Sequence, residues 1–330
     1  MSEQFKALVL NEEDGKTISQ IRRLSTDDLP QGDVLLAVEY SSLNYKDGLA
    51  ITGKGKIVRA WPMVPGIDLA GRVLESASAD YAPGDPVVLT GWGVGEKYWG
   101  GYSQRQRVQS QWLVPLPQGL DTRSAMVIGT AGFTAMLCVM ALEESGVAPG
   151  DGSVLVTGAS GGVGSVAVAL LSKLGYRVAA VSGKPEAADY LRNLGAQEIL
   201  SRDEMSVPPR PLEGQRWDGA IDTVGGVMLA RVLAETRYNG CVAACGLAGG
   251  ADLPTTVMPF ILRNVTLRGV DSVQCPGPRR RTTWERLARD LPHGALDAMT
   301  RVAGLDALPG LAEQITEGAI RGRVLIDLNA

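Results

Sequence analysis

The sequence predicts a two-domain α/β protein, with a parallel sheet flanked by helices inserted in a β-rich domain. Three observations lead there. Residues 153–269 alternate short apolar strands with helical runs, the pattern of a parallel sheet covered on both faces. The residues before them carry short β-branched or apolar runs separated by glycine and proline. The final run, 323–328, is strand-like again and returns most simply to the first domain's sheet. A chain of 330 residues is also too long for one ordinary core. The expected division is 1–125 for the β-rich domain, 126–270 for the parallel sheet and 271–330 for the return to the first domain.

Each element has its own reason. Residues 6–10, 33–39, 66–73 and 85–90 are apolar runs bounded by turn residues, and a partly open barrel of short strands satisfies their spacing. Residues 121–144 lack proline and read as helical, interrupted by Gly129 and Gly132. Residues 153–157 form a continuous apolar strand. A glycine turn, a helical run over 165–174 and a stop at Gly175 follow it. The strand 177–181 completes one strand–helix–strand unit. A second helix over 185–194 ends at Gly195, and strands at 198–200, 219–222, 241–245 and 265–269 extend the sheet. Residues 282–291 and 311–316 are amphipathic helices.

Composition narrows the function. Hydrophobic residues make up 45% and charged residues 21%, the balance of a folded globular protein. A net charge of −4 argues against nucleic acid or an anionic membrane as the main partner. No basic segment followed by an apolar run opens the chain, and the longest apolar run, 133–142, is short of a membrane span. Cys138, Cys241, Cys245 and Cys275 do not form a disulfide framework, so a reducing cytoplasm is expected. Cys241 and Cys245 lie in a strand-like apolar context and read as buried, inert thiols rather than a metal pair. The one histidine, His293, follows Pro292 in an expected surface turn. Alone it builds neither a metal site nor a catalytic triad.

The segment Gly158-Ala-Ser-Gly-Gly-Val-Gly164 carries the first chemistry. Backbone without Cβ approaches a pyrophosphate closely, and the helix start beyond it offers unpaired N–H groups at a positive dipole end. Spaced glycines alone are a weak signal, but here strand, turn, helix and second strand all fall where a dinucleotide site needs them. Which dinucleotide depends on the end of the second strand, where an acidic residue holds the ribose of NAD. This chain has Ser182-Gly-Lys184 there, and Arg202 follows the next strand. A hydroxyl, a backbone N–H and cations suit a 2′-phosphate, so NADPH is the expected cofactor.

Other motifs run nearly end to end. They are Ser41-Ser-Leu-Asn-Tyr-Lys-Asp47, Thr52-Gly-Lys-Gly-Lys-Ile57, Pro65-Gly-Ile-Asp-Leu-Ala-Gly71, Leu89-Thr-Gly-Trp-Gly-Val-Gly95 and Ile128-Gly-Thr-Ala-Gly-Phe-Thr-Ala135 in the amino-terminal half. Asp222-Thr-Val-Gly225, Cys245-Gly-Leu-Ala-Gly249 and Gly269-Val-Asp-Ser272 continue them. Through these the chain resembles the zinc-free, quinone-oxidoreductase-like branch of the medium-chain dehydrogenase/reductase superfamily, and within it the acryloyl-CoA (acrylyl-CoA) reductase family. The resemblance implies a Rossmann-like cofactor domain inserted in a barrel-like, GroES-like catalytic domain, and a homodimer. It places Tyr45 at the nicotinamide end and Ser160, Gly161, Gly162 and Val163 on the pyrophosphate. Ser182, Gly183, Lys184 and Arg202 take the adenosine phosphate. Leu247, Ile261 and Ser272 line the nicotinamide and its ribose, and Arg323 faces cofactor or substrate. Zinc-dependent relatives carry a cysteine near Asn44 or Tyr45 and Gly-His-Glu where this chain has Gly66-Ile-Asp68. They also have a four-cysteine lobe that is missing here, so no metal is expected.

The implied reaction is NADPH-dependent reduction of the conjugated C=C bond of acryloyl-CoA to propionyl-CoA. Hydride goes to the β-carbon, charge gathers on the thioester oxygen and a proton reaches the α-carbon. Tyr45 is the candidate donor or orienting group, with Asn44 and Asp68 beside it. The plainer readings are a wall residue for Tyr45 and a loop brace for Asp68. Coenzyme A phosphates make Lys54, Lys56, Arg59 and the run Arg279-Arg-Arg281 candidate contacts, against the plainer reading of a solvated face. A quinone or alkenal reductase on the same scaffold, a zinc alcohol dehydrogenase and a non-enzymatic NADPH-binding protein are the alternatives.

Overall fold

The structure, a computed structural model, describes residues 3–150 and 152–330, and of His293 the backbone alone. Its packing gives two compact units. The first holds Met1–Thr130, Ser272–Ala288 and Met299–Ala330, and the second holds Ala131–Asp271 with Arg289–Ala298.

The first unit opens with β1 (Gln4–Glu13) and β2 (Lys16–Ser25), an antiparallel hairpin. Asp14 and Gly15 turn it at φ of 50° and 73°, the left-handed pair that a two-residue turn requires. No residue of β2 is buried and most are polar, so no apolar alternation announces it. β3 (Val34–Leu43) leads into helix α1 (Tyr45–Thr52), and β4 (Asp68–Ser76), β5 (Pro86–Thr90), β6 (Arg105–Val108) and β7 (Val114–Pro115) follow. Helix α2 (Thr122–Glu144) leaves the helical conformation at Gly129, φ 52° and ψ −161°, and not at Gly132. It is long and apolar enough to cross a membrane, but 94% of its apolar window is buried in protein.

The second unit is a six-stranded parallel sheet. β8 (Ser153–Val156), α3 (Gly162–Lys173), β9 (Arg177–Ser182) and β10 (Glu198–Ser201) build one side of it. β11 (Trp217–Asp222), β12 (Thr236–Ala244) and β13 (Thr266–Gly269) build the other, in the order β10-β9-β8-β11-β12-β13. The order reverses between β8 and β11, and open α/β sheets bind ligands at the carboxyl ends of the strands flanking such a reversal. Val154, Leu155 and Val156 are at most 1% exposed, which explains why β8 reads as an unbroken apolar run. The expected 185–194 helix divides into a 3₁₀ turn, Pro185–Ala187, and a helix, Ala188–Asn193. The helices Gly226–Glu235 and Met258–Arg263 were not anticipated from the sequence.

The returning tail supplies β14 (Thr300–Gly304) and β15 (Arg323–Asp327), which complete the first unit's seven-stranded sheet. Its order is β14-β15-β3-β4-β5-β7, with β6 on β3. β15 lies antiparallel to β3, with Leu325 opposite Ser42. The core beneath holds Leu8, Leu36, Leu69, Leu89 and Ile326. The expected α/β architecture, a parallel sheet interrupting a β-rich domain, is what the chain adopts. His293 opens a short helix, His293–Ala298, where a surface turn was expected.

Candidate active site

In the second unit the glycine turn links β8 to α3. Gly161 is the N-cap of α3, and no side chain caps the helix. An α-helix leaves its first N–H groups without intrahelical partners, so those of Gly162 and Val163 remain as donors for an anion. Beside them the Ser160 and Ser182 hydroxyls are 3.2 Å apart, and the Lys184 N–H donates to Ser182 Oγ at 3.1 Å. The Arg202 guanidinium packs across Gly183: a Cβ there would lie 2.4 Å from the guanidinium carbon. Ser182, Gly183, Lys184 and Arg202 thus come together, and a side chain at 183 would push the guanidinium off this position. Among the described residues Arg202 forms no ion pair, and no carboxylate bonds Ser182. A pyrophosphate and a 2′-phosphate fit this donor set.

A groove of about 530 Å³ follows the carboxyl ends of β12 and β13, lined by residues 244–247 and 269–271. Leu247, 66% exposed, lines it, and Ile261 is 71% exposed on the helix Met258–Arg263. Cys245 also lines this groove and is half-buried, a correction to the expectation that both strand cysteines are buried. The β11–β12 sheet forces this, because Cys245 lies just past the paired residues and its N–H follows the ladder to Asp222 O. Ser272 belongs to the first unit, where its carbonyl accepts from Arg280 Nη2 at 3.1 Å.

The first unit gathers Asn44, Asp47, Asp68 and Arg323 into a buried polar network. Asp68 is fully buried. Its carboxylate accepts from the Ser42 N–H and hydroxyl, from Asn44 Nδ2 at 3.0 Å and from the Thr130 N–H at 2.8 Å. The break at Gly129 aims that last N–H. A Cβ at 129 would come within 2.8 Å of Ser42 Oγ, Arg323 Nη2 and Asp68 Oδ2 alike. Asp47 accepts from the Asn44 N–H at 2.9 Å and the Ile67 N–H at 3.0 Å. Burial, and then the charge of Asp68, push the Asp47 carboxyl up to about 7. Asn44 caps α1 and is 8% exposed. Tyr45, the first residue of α1, is 44% exposed, and its hydroxyl has no hydrogen-bond partner among the described residues.

Two arginines depart from expectation. Arg323, which the resemblance turns toward cofactor or substrate, is not on the surface. It is 2% exposed, and its guanidinium donates to Val127 O, Asn44 Oδ1 and Ser42 Oγ. β15 lies against β3, so its first side chain turns into the carboxylate cluster. Arg280, expected on a solvated or phosphate-facing run, is 1% exposed and donates to the carbonyls of Thr90, Ser272, Val273 and Cys275. Lys54 pairs with Glu313 at 2.6 Å.

Comparison with known proteins identifies the frame that carries these groups. Residues 30–118 match the family model described as an alcohol dehydrogenase GroES-like domain, and residues 162–291 the one described as a zinc-binding dehydrogenase. The chain is 60% identical over 329 residues to the acrylyl-CoA reductase AcuI of Ruegeria pomeroyi, covering 99% of this chain and 100% of that one. The chain belongs to the medium-chain dehydrogenase/reductase superfamily and its acrylyl-CoA reductase family. A probable acrylyl-CoA reductase of Escherichia coli is 58% identical, over 98% of this chain and 100% of its own length. The crystal structure of the YhdH oxidoreductase of Salmonella enterica in complex with NADP superposes with a TM-score of 0.96. It is 58% identical and covers 98% of this chain and 99% of that one.

Within this family frame, the zinc in one model's description has no counterpart in the described residues. No group of three or more histidine, cysteine, aspartate or glutamate side chains is placed there to hold a metal ion. Sequence reasoning missed Asp47 and Gly129. The Asn44-x-x-Asp47 spacing of a capping box was the available signal for the first.

Proposed function

We propose that the chain reduces the conjugated C=C bond of acryloyl-CoA to propionyl-CoA with NADPH. Full-length identity of 58–60% to acrylyl-CoA reductases carries this reading. NADPH, when bound, supplies the hydride that reaches the β-carbon. The N–H groups of Gly162 and Val163, with Ser160 and Gly161 around them, hold its pyrophosphate. Ser182, Gly183, Lys184 and Arg202 hold its 2′-phosphate, while Leu247, Ile261 and Ser272 flank the nicotinamide and ribose.

On the substrate side, Tyr45 orients the thioester and donates from its free hydroxyl to the oxygen where charge collects. Asn44 and Asp68 do not touch the reacting atoms in this reading. They hold the first turn of α1, with Arg323 as their counter-charge. The chain pairs with a second copy through the outer edge of β13, supported by the exposed side chains of Val257 and Leu262 nearby in sequence. It works in the cytoplasm, consistent with four free thiols.

NADPH oxidation measured against acryloyl-CoA, crotonyl-CoA, a quinone and a simple enal tests the function. Acryloyl-CoA should show the highest kcat/KM. A quinone or free acrylate outrunning it would replace this reading with a quinone or general alkene reductase. Cofactor choice gives a second result. Lys184→Ala or Arg202→Ala should raise the KM for NADPH about tenfold, the scale of one lost charge-assisted phosphate contact. Ser182→Asp should raise it further by repulsion. Equal use of NADH and NADPH by the unaltered protein would count decisively against the phosphate assignment.

A further inference from the structure

The first unit carries an exposed cationic and aromatic surface that the reaction chemistry does not use. Lys56, Arg59 and Lys97 are exposed and, among the described residues, enter no ion pair. Two aromatic side chains lie among them in sequence: Trp61 is 37% exposed and Tyr98 48% exposed. These five residues come from two loops, 53–62 and 91–99, that are fastened together. The Arg59 N–H donates to Glu96 O at 2.8 Å, and Trp99 Nε1 donates to Pro62 O at 2.9 Å. Tyr98 is fixed against Trp112, with ring centroids 4.8 Å apart at 43°. Glu96, the one carboxylate within these two loops, is neutralised by Lys46 at 2.7 Å. That ion pair also joins the surface to the first turn of α1, because Lys46 follows Tyr45 directly.

We propose that this surface binds the 3′-phosphorylated adenosine diphosphate end of the coenzyme A substrate. The cations hold the phosphates, and Trp61 or Tyr98 stacks on the adenine. The inference rests on the acyl-CoA reading above. Each part matches the ligand by its chemistry. Arginine and lysine side chains on a braced loop hold phosphate oxygens with little ordering cost. Aromatic faces stack on a nucleobase whatever its hydrogen-bonding edge. A thioester with its reacting carbons near Tyr45 carries its nucleotide on a long flexible arm, and the Lys46–Glu96 pair ties the 91–99 loop to the residue after Tyr45. Binding energy gained so far from the reacting carbons serves orientation.

Two thioesters separate the outcomes: acryloyl-CoA and acryloyl-N-acetylcysteamine, which lacks every phosphate and the adenine. The unaltered protein should prefer acryloyl-CoA strongly in kcat/KM. Lys56→Ala, Arg59→Ala and Lys97→Ala should each raise its KM about tenfold, and the three combined should bring the preference for acryloyl-CoA toward one. Trp61→Ala and Tyr98→Ala identify the stacking ring by the same ratio. Adenosine 3′,5′-bisphosphate should inhibit competitively against acryloyl-CoA, and less so in the triple variant. If the unaltered protein reduces neither thioester, the acyl-CoA reading fails and this inference with it. If it prefers acryloyl-CoA and the triple variant keeps that preference, the surface assignment alone falls. A matching rise in the KM for NADPH in the triple variant would also overturn it.

Discussion

Arg323→Leu should lower the stability of the protein by about 3 kcal/mol or more, because it removes a buried guanidinium that donates to three buried oxygens, Val127 O, Asn44 Oδ1 and Ser42 Oγ. Asp47 and Asp68 are both essentially buried, and Arg323 is the cation bonded into their network. Without it, Ser42 Oγ and Asn44 Oδ1 lose a charged donor, and the buried carboxylates keep their desolvation cost with only neutral N–H and hydroxyl donors to offset it. The deficit should depend on pH with a definite sign. Asp47 titrates near 7 in the folded protein, far above its unfolded value. It therefore contributes stability that is full below the ordinary carboxylate range and is lost as pH rises through about 7. A protonated Asp47 relieves the crowded negative charge, so the variant should suffer less at pH 6 than at pH 8. Urea midpoints of both proteins at the two pH values decide it. A variant as stable as the parent at pH 8, or one hurt more at pH 6, would remove the network from the account of stability.

Tyr45→Phe should lower kcat by about 10²–10⁴-fold if the phenol acts on the substrate, the range typical of a positioned proton donor. The substitution keeps the ring and removes one oxygen that has no partner within the described protein. Packing around α1 should therefore survive, and the helix keeps its cap from Asn44. NADPH affinity should change little, because the phosphate-binding residues belong to the other unit. The informative readout is the split between constants. A fall in kcat with a steady KM for NADPH marks a group acting in the chemical step. A loss of less than about threefold would reduce Tyr45 to a wall of the site.

How far the sequence could be read depended on the range of the forces involved. That Ser182, Lys184 and Arg202 gather around Gly183 was legible because the end of a strand fixes where the next few side chains go. The parallel sheet was legible because strands buried on both faces are apolar throughout. β2 was not, since its polar side chains face solvent and only the Asp14-Gly15 turn marked it. Arg280 and Arg323 look like surface residues in any local window. Their burial is decided by carbonyls and carboxylates brought from far along the chain. Asp68 was noticed for its place in a motif, yet its partners reveal a brace, and those partners lie 24 to 62 positions away.

The bonds from Arg323 to Asn44 and Ser42 span 279 and 281 positions. The second unit's sheet needs only strands between Ser153 and Gly269. During synthesis that sheet can assemble while the ribosome is still reading the tail, whereas the first unit's sheet and polar network are completed only when β15 emerges. Contacts so distant are slow to form and leave strand edges exposed in the meantime. β15 therefore acts as a closing step in biogenesis. A nascent chain cut before Arg323 keeps every strand of the parallel sheet but lacks the strand that joins β14 to β3 and the cation of the buried network.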